Sequence, residues 1–222
     1  MTLYVAPIVE GETEERCVKL LLSRIWRDLF SAADREELCV LEPNPANRAS
    51  LVKPDHPELG ERVEFSFRRL RSRMRQPDVD RGFILLLLDA DEDCPKAVAE
   101  QLLTRARAVR SDTDFACVLA KRELENWFKA AAASLAGVVG LPADIQIPAE
   151  PEVGSGDAWL TKQIKKLDPR RKYTKPADAI ELVRRMDLHQ CRTNSRSFRK
   201  LCKELAARLP PAPPDPSAAT TG

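Results

Sequence analysis

Phe83-Ile84-Leu85-Leu86-Leu87-Leu88-Asp89-Ala90-Asp91-Glu92-Asp93-Cys94-Pro95 is the stretch that decides the fold. Its apolar run from Phe83 to Leu88 is far too short to cross a bilayer and lacks polar alternation, as expected of a central parallel strand covered on both faces. The run stops at an acidic turn, and Pro95 can open a helix. Parallel strands need long crossovers between them, so helical periodicity should flank this strand on both sides. Upstream, Leu3 to Val9 is a short apolar run ending in Glu10-Gly11. Val18, Leu21, Leu22, Ile25 and Leu29 then recur at helical spacing, predicting a helix to about Phe30 with Thr13 as N-cap and Glu14 and Glu15 in its first turn. Cys39 to Leu41 gives a second strand. After a Pro- and Asn-rich loop (Pro43 to Pro57), Val63, Phe67, Leu70 and Met74 line a helix whose other face carries arginines. Downstream come a helix from Pro95 to about Arg110, a strand from Phe115 to Leu119, and a helix from Glu123 to about Val139.

This alternation predicts an α/β domain over residues 1–140, with a mostly parallel four-stranded sheet flanked by helices. Residues 141–157 read as a linker or long loop. Residues 158–209 read as a small basic helical subdomain, with helical segments at Trp159–Leu167, Ala177–Met186 and Ser195–Leu209 around a basic loop from Pro169 to Pro176. The Pro-, Ala-, Ser- and Thr-rich end, residues 210–222, reads as a disordered tail. A 43% hydrophobic content with 36 basic against 34 acidic residues excludes a wholly disordered chain. The six cysteines are scattered without a C-x-x-C pair, and no basic region precedes a cleavable apolar stretch at the amino terminus. The expectation is a cytoplasmic, reduced protein with no zinc site and no membrane segment.

The net charge of +2 averages over clusters. Acidic knots stand at residues 10–15 and 89–93, whereas Arg68, Arg69, Arg71, Arg73 and Arg75 crowd one segment and residues 162–203 are predominantly basic. Charge runs are ordinarily solvated helix faces, but acidic knots in basic surroundings suggest a metal site facing a polyanion. In open parallel sheets ligands gather outside the carboxyl ends of the strands, where Glu10, Asp89 and Asp91 should converge. An i, i+2 carboxylate pair at a strand end can turn toward one hard cation such as Mg²⁺. Asp-x-Asp alone also occurs in nucleotide-sugar transferases, phosphatases and turns; the phosphatase reading leaves Glu10-Gly11 unexplained.

Val9-Glu10-Gly11-Glu12-Thr13-Glu14 and Leu88-Asp89-Ala90-Asp91 resemble the Toprim superfamily, whose hallmark is a Glu after one strand and an Asp-x-Asp after a later one; the resemblance covers residues 1 to about 130. More closely, the chain resembles small standalone, OLD-nuclease-like bacterial Toprim proteins often encoded beside an ATPase. Their Glu-x-Glu after the fourth strand and carboxyl-terminal Tyr-x-Lys are matched by Glu123-Leu124-Glu125 and Tyr173-Thr174-Lys175. The resemblance implies a Toprim-like Rossmannoid fold and a nuclease dependent on Mg²⁺ (or Mn²⁺) that hydrolyses phosphodiester bonds in DNA or RNA. It further implies a role in anti-phage defence with an ATPase partner. On this reading Asp89 and Asp91 bind metal, Glu10 is a ligand or the general base, and Glu123 and Glu125 complete a second metal position. Glu14 and Asp93 are reserve ligands, unless they only serve a helix dipole and a turn. Lys175 and Lys172 hold the nucleic-acid backbone or stabilise charge on phosphorus, within a basic surface that includes Arg69, Arg73, Lys165, Lys166, Arg170 and Arg171. The chain is too short for a topoisomerase, so Tyr173 is read as a packing or backbone-contact residue. The rival reading is a non-catalytic binding module in an ATPase complex. A homo-oligomer stays open under either reading.

Overall fold

The computed structural model describes residues 2–31, 36–74 and 80–210; the predicted tail lies outside them except for Pro210. The chain alternates strand and helix: β1 (Thr2–Val9), α1 (Glu12–Leu29), β2 (Glu37–Val40), β3 (Asn44–Pro45), α2 (Arg48–Leu51), α3 (Glu58–Arg73), β4 (Arg81–Asp89), α4 (Pro95–Val109), β5 (Asp114–Ala120) and α5 (Glu125–Ala130). Four further helices follow: α6 (Gly156–Ile164), α7 (Ala177–Arg185), α8 (Leu188–Asn194) and α9 (Arg196–Ala206). The sheet runs β2-β1-β4-β5, and all its pairings are parallel. Beyond the four expected strands, β3 rejoins the far end of β1, pairing Asn44 with Ile8.

The apolar run is the central strand β4, between β1 and β5, and residues Phe83 to Leu88 are all buried. Strand alternation divides them. Phe83, Leu85 and Leu87 pack in one core with α1, while Ile84, Leu86 and Leu88 face the core beneath α3 and α4. The carboxyl-terminal helices do not stand apart: Leu160, Ile164, Leu182, Phe198 and Leu201 belong to the α1-side core. Trp127 and Phe198 meet edge to face at 5.3 Å, and Trp127 Nε1 donates to Ser197 Oγ at 2.8 Å.

Two predicted elements differ. Gly11, not Thr13, is the N-cap of α1. The long helix expected from Glu123 to Val139 is a short α5 followed by 3₁₀ turns. Asn194 donates to the Ala130 carbonyl at 3.1 Å, satisfying the end of α5, and Gly137 and Gly140 take left-handed backbone that a helix cannot continue. The segment expected as a linker is anchored by buried Leu141, Ile145 and Pro151. All six cysteines are free, and among the described residues no helix is long and apolar enough to cross a membrane.

Because one core joins sheet and carboxyl-terminal helices, the chain should unfold in a single transition. Phe198→Ala should lower urea stability by about 3–5 kcal/mol without splitting that transition; a separate early melting of residues 158–209 would refute the shared core.

Candidate functional site

The parallel strands end together and carry their acids to one rim. Glu10 follows β1, half-buried, and its Oε2 accepts the Asp89 N–H at 3.4 Å. Burial and the negative charges of Asp91 and Glu14 push its carboxyl up to about 7, against the opposing Asp89 N–H and Arg48. Glu14 is buried in the first turn of α1, where its Oε2 accepts the Gly11 N–H at 3.1 Å. Gly11 makes room for it: a Cβ there would lie 2.6 Å from that oxygen.

Asp89 ends β4, and its Oδ1 accepts the Leu124 N–H at 2.8 Å. Burial, then the charges of Glu14, Glu125 and Glu10, hold its carboxyl well above the usual range. Glu125 begins α5, fully buried. Its Oε1 accepts from Lys175 Nζ at 2.9 Å and Tyr173 Oη at 3.2 Å, while its Oε2 has no partner among the described residues. Burial raises the Glu125 carboxyl despite Lys175. Glu10, Glu14, Asp89 and Glu125 therefore press on one another.

Asp91 and Asp93 are engaged elsewhere. Ala90 N–H donates to Ala120 O at 2.8 Å and Asp91 N–H to Arg122 O at 2.9 Å, and this turn puts Asp91 in left-handed backbone with φ 48°. Arg48, nearly buried, donates through Nε to Asp89 O at 2.8 Å and through Nη2 to Ala90 O at 3.1 Å. It also pairs with Asp91 at 3.0 Å and with Asp93. Sequence reasoning missed Arg48; the only signal is its place after Asn47, which caps α2 by accepting the Ser50 N–H.

Glu123 is likewise satisfied. Its Oε1 accepts Ser155 Oγ at 2.7 Å and the Asp157 N–H at 2.9 Å. Residues 153–157, part of the expected linker, thus form a strap over the start of α5. Asn126 Nδ2 donates to Gly154 O at 3.1 Å, and Gly156 packs so closely that a Cβ would sit 2.5 Å from the Glu125 carbonyl carbon. Lys175 lies at the mouth, 3.8 Å from Glu123 and 3.7 Å from Asp157. Burial pulls its ammonium down, but Glu125, Glu123 and Asp157 outweigh that and hold it above its usual range. Among the described residues no three His, Cys, Asp or Glu side chains stand together as a ready ligand set.

The predicted basic surface is not assembled at this rim. On α3, Ser66 is level with Asn44, and Leu70 packs over Gly82 near the start of β4. Arg73 therefore lies toward the opposite end of the sheet, and Arg69 donates to Glu42 O at 2.7 Å. Lys165, Lys166, Arg170 and Lys172 are exposed beyond α6, and Arg171 pairs with Asp178 at 3.0 Å. Of the eight, Lys175 alone contacts the predicted carboxylates among the described residues. His56 accepts the Glu58 N–H at 3.2 Å and His189 is exposed on α8.

A family profile described as a domain of unknown function, DUF4276, matches residues 9–206. The chain belongs to this family. No curated protein and no solved structure matches it. The matched span takes in every carboxylate above, together with Arg48, the strap and α6 to α9.

Two outcomes follow from this geometry. Gly156→Ala should cost about 1–3 kcal/mol of stability in urea, since backbone rather than a flexible side chain must give way. In the presence of EDTA, folded Glu10 binds its proton more tightly than the unfolded chain does. Its stabilising contribution is complete below pH 4.5 and is lost as the pH rises through about 7. The stability difference between wild type and Glu10→Gln should therefore fall across that window, by on the order of 1 kcal/mol after solvent screening; a flat difference would exclude the raised carboxyl.

Proposed function

We propose that the chain is a Toprim-type phosphodiesterase dependent on Mg²⁺ or Mn²⁺, cutting DNA or RNA. The observation that carries this reading is that the parallel strands end with Glu10 and Asp89 side by side, the Asp89 N–H donating to Glu10 Oε2 at 3.4 Å, while the buried Glu125 beyond β5 keeps one oxygen without a partner among the described residues. Strand-end carboxylate oxygens of this kind suit a hard divalent cation. Glu10, Glu14, Asp89 and Glu125 would hold it after drawing closer, since no three of them stand as a ready ligand set. Asp91, Asp93 and Glu123 are committed to Arg48 and to the strap, which weakens the expected role of these three as ligands.

A metal bound there would supply Lewis-acid stabilisation of charge on the phosphoryl oxygens. Glu10, beside Asp89 at the end of β1, would serve either as a ligand or as the base that takes a proton from the attacking water. Lys175, partly exposed at the mouth, can meet the phosphate charge. An ATPase partner and a place in anti-phage defence rest on the family resemblance. The second reading, a non-catalytic nucleic-acid or protein-binding module in an ATPase complex, is favoured by Arg48, whose ion pairs occupy Asp91 and Asp93.

The test is incubation with plasmid DNA, short single strands and bulk transfer RNA in Mg²⁺, Mn²⁺ or EDTA, beside Asp89→Ala. Metal-dependent cleavage should fall roughly a hundredfold or more in the variant. Millimolar Mn²⁺ should raise the melting temperature of wild type but not of the variant. Cleavage that survives Asp89→Ala ends the proposal, and absence of both cleavage and thermal shift selects the binding module.

A further inference from the structure

Of the seven carboxylates expected to hold metal, three have only neutral partners. Asp89 Oδ1 accepts the Leu124 N–H, Glu10 Oε2 the Asp89 N–H and Glu14 Oε2 the Gly11 N–H. Backbone orients each of these acids and leaves its other oxygen without a partner among the described residues. The remaining four have a cation beside them. Arg48 pairs with Asp91 at 3.0 Å and also with Asp93. Lys175 Nζ stands 2.9 Å from Glu125, 3.8 Å from Glu123 and 3.7 Å from Asp157. An ammonium facing three carboxylates at once fills the space that a shared cation would take.

Neither cation depends on these acids for its place. Arg48 is nearly buried and donates to the Asp89 carbonyl at 2.8 Å and to the Ala90 carbonyl at 3.1 Å. The loop that carries Lys175 is fixed just before it. Tyr173 is buried and its N–H donates to Thr161 Oγ1 at 3.3 Å, while the Thr174 N–H donates to Asp178 Oδ2 at 2.9 Å. Both charges are built into the fold, so a divalent ion reaching the rim meets them in place.

A two-metal centre needs its second ion about 3.5–4 Å from the first, and therefore a second set of oxygen donors. The flanking acids that could supply that set, Asp91 with Asp93 and Glu123 with Glu125, are the ones beside Arg48 and Lys175. A second divalent ion there would meet a like charge in a half-buried setting, where repulsion is weakly screened. Asp89, Glu10 and Glu14 remain open, together with the unpartnered Oε2 of Glu125.

We propose that the rim is a one-ion centre, in which Arg48 and Lys175 are resident cations in the positions a second metal would need. The inference rests on the metal-dependent reading and narrows it. Lys175 then meets the phosphate charge that a second metal would otherwise meet.

The test counts ions and needs no cleavage. The full chain, stripped with EDTA and exchanged into metal-free buffer, is titrated with Mn²⁺ while electron paramagnetic resonance reads the free and bound ion. Wild type should hold one Mn²⁺ per chain, with a bound spectrum free of the exchange coupling of a metal pair. Asp89→Ala should weaken that ion by roughly tenfold or more, and Asp91→Asn clearly less. Lys175→Met, which vacates the space among Glu123, Glu125 and Asp157, should admit a second Mn²⁺, whereas Lys175→Arg, which keeps the charge, should hold one. Should Lys175→Met not fold, the wild-type count and the comparison of Asp91→Asn with Asp89→Ala still decide. The one-ion centre is overturned, with the metal-dependent reading left standing, by two coupled ions in wild type, by equal losses in Asp91→Asn and Asp89→Ala, or by a single ion in folded Lys175→Met. No Mn²⁺ bound by wild type overturns both.

Discussion

The constraint on which the rest depends is the burial of β4 on both faces. A strand sandwiched between two cores and two neighbouring strands has no freedom of register: a slip of one residue would exchange Phe83, Leu85 and Leu87 with Ile84, Leu86 and Leu88 between the two cores. Asp89 is thereby held at the rim. Parallel pairing with β1 and β5 then brings Glu10 and the start of α5 to the same level. The acids meet because the apolar residues before them have no alternative packing.

That convergence is electrostatically unfavourable, and the fold compensates it on two sides only. Arg48 pairs with both Asp91 and Asp93 and binds the carbonyls of Asp89 and Ala90, while Lys175 pairs with Glu125 with help from the Tyr173 hydroxyl. Between them, Asp89 and Glu10 keep raised proton affinities. Groups perturbed in this way gather at functional sites and in structural ion-pair networks alike.

The central strand was legible because a run of six apolar residues has no other economical reading, and the strand-end acids followed from parallel topology. Tyr173 and Lys175 were legible as a pair only through family resemblance; the folded chain brings both to Glu125. Arg48 was not legible, since an isolated arginine in a Pro- and Asn-rich loop carries no sign of which acids it will meet. The helix expected from Glu123 to Val139 misled because its apolar periodicity reflects burial against α8, which irregular backbone can satisfy as well. Glu14 illustrates a false choice: it serves the amino end of α1 through Gly11 and also charges the surroundings of Asp89.

The strap over α5 explains why the carboxyl-terminal helices are needed for a rim built by the sheet. Glu123 and Glu125 sit where the chain leaves β5, and unassisted they would repel each other and Asp89. Ser155 and the Asp157 N–H draw Glu123 away, Gly156 lets the strap approach the Glu125 backbone, and α6 then leads to the loop that returns Tyr173 and Lys175 to Glu125. Each of these contacts orients one carboxylate without neutralising Asp89. The helices beyond residue 156 thus separate the acids that are compensated from those that are not, and this division sets the charge at the centre of the rim.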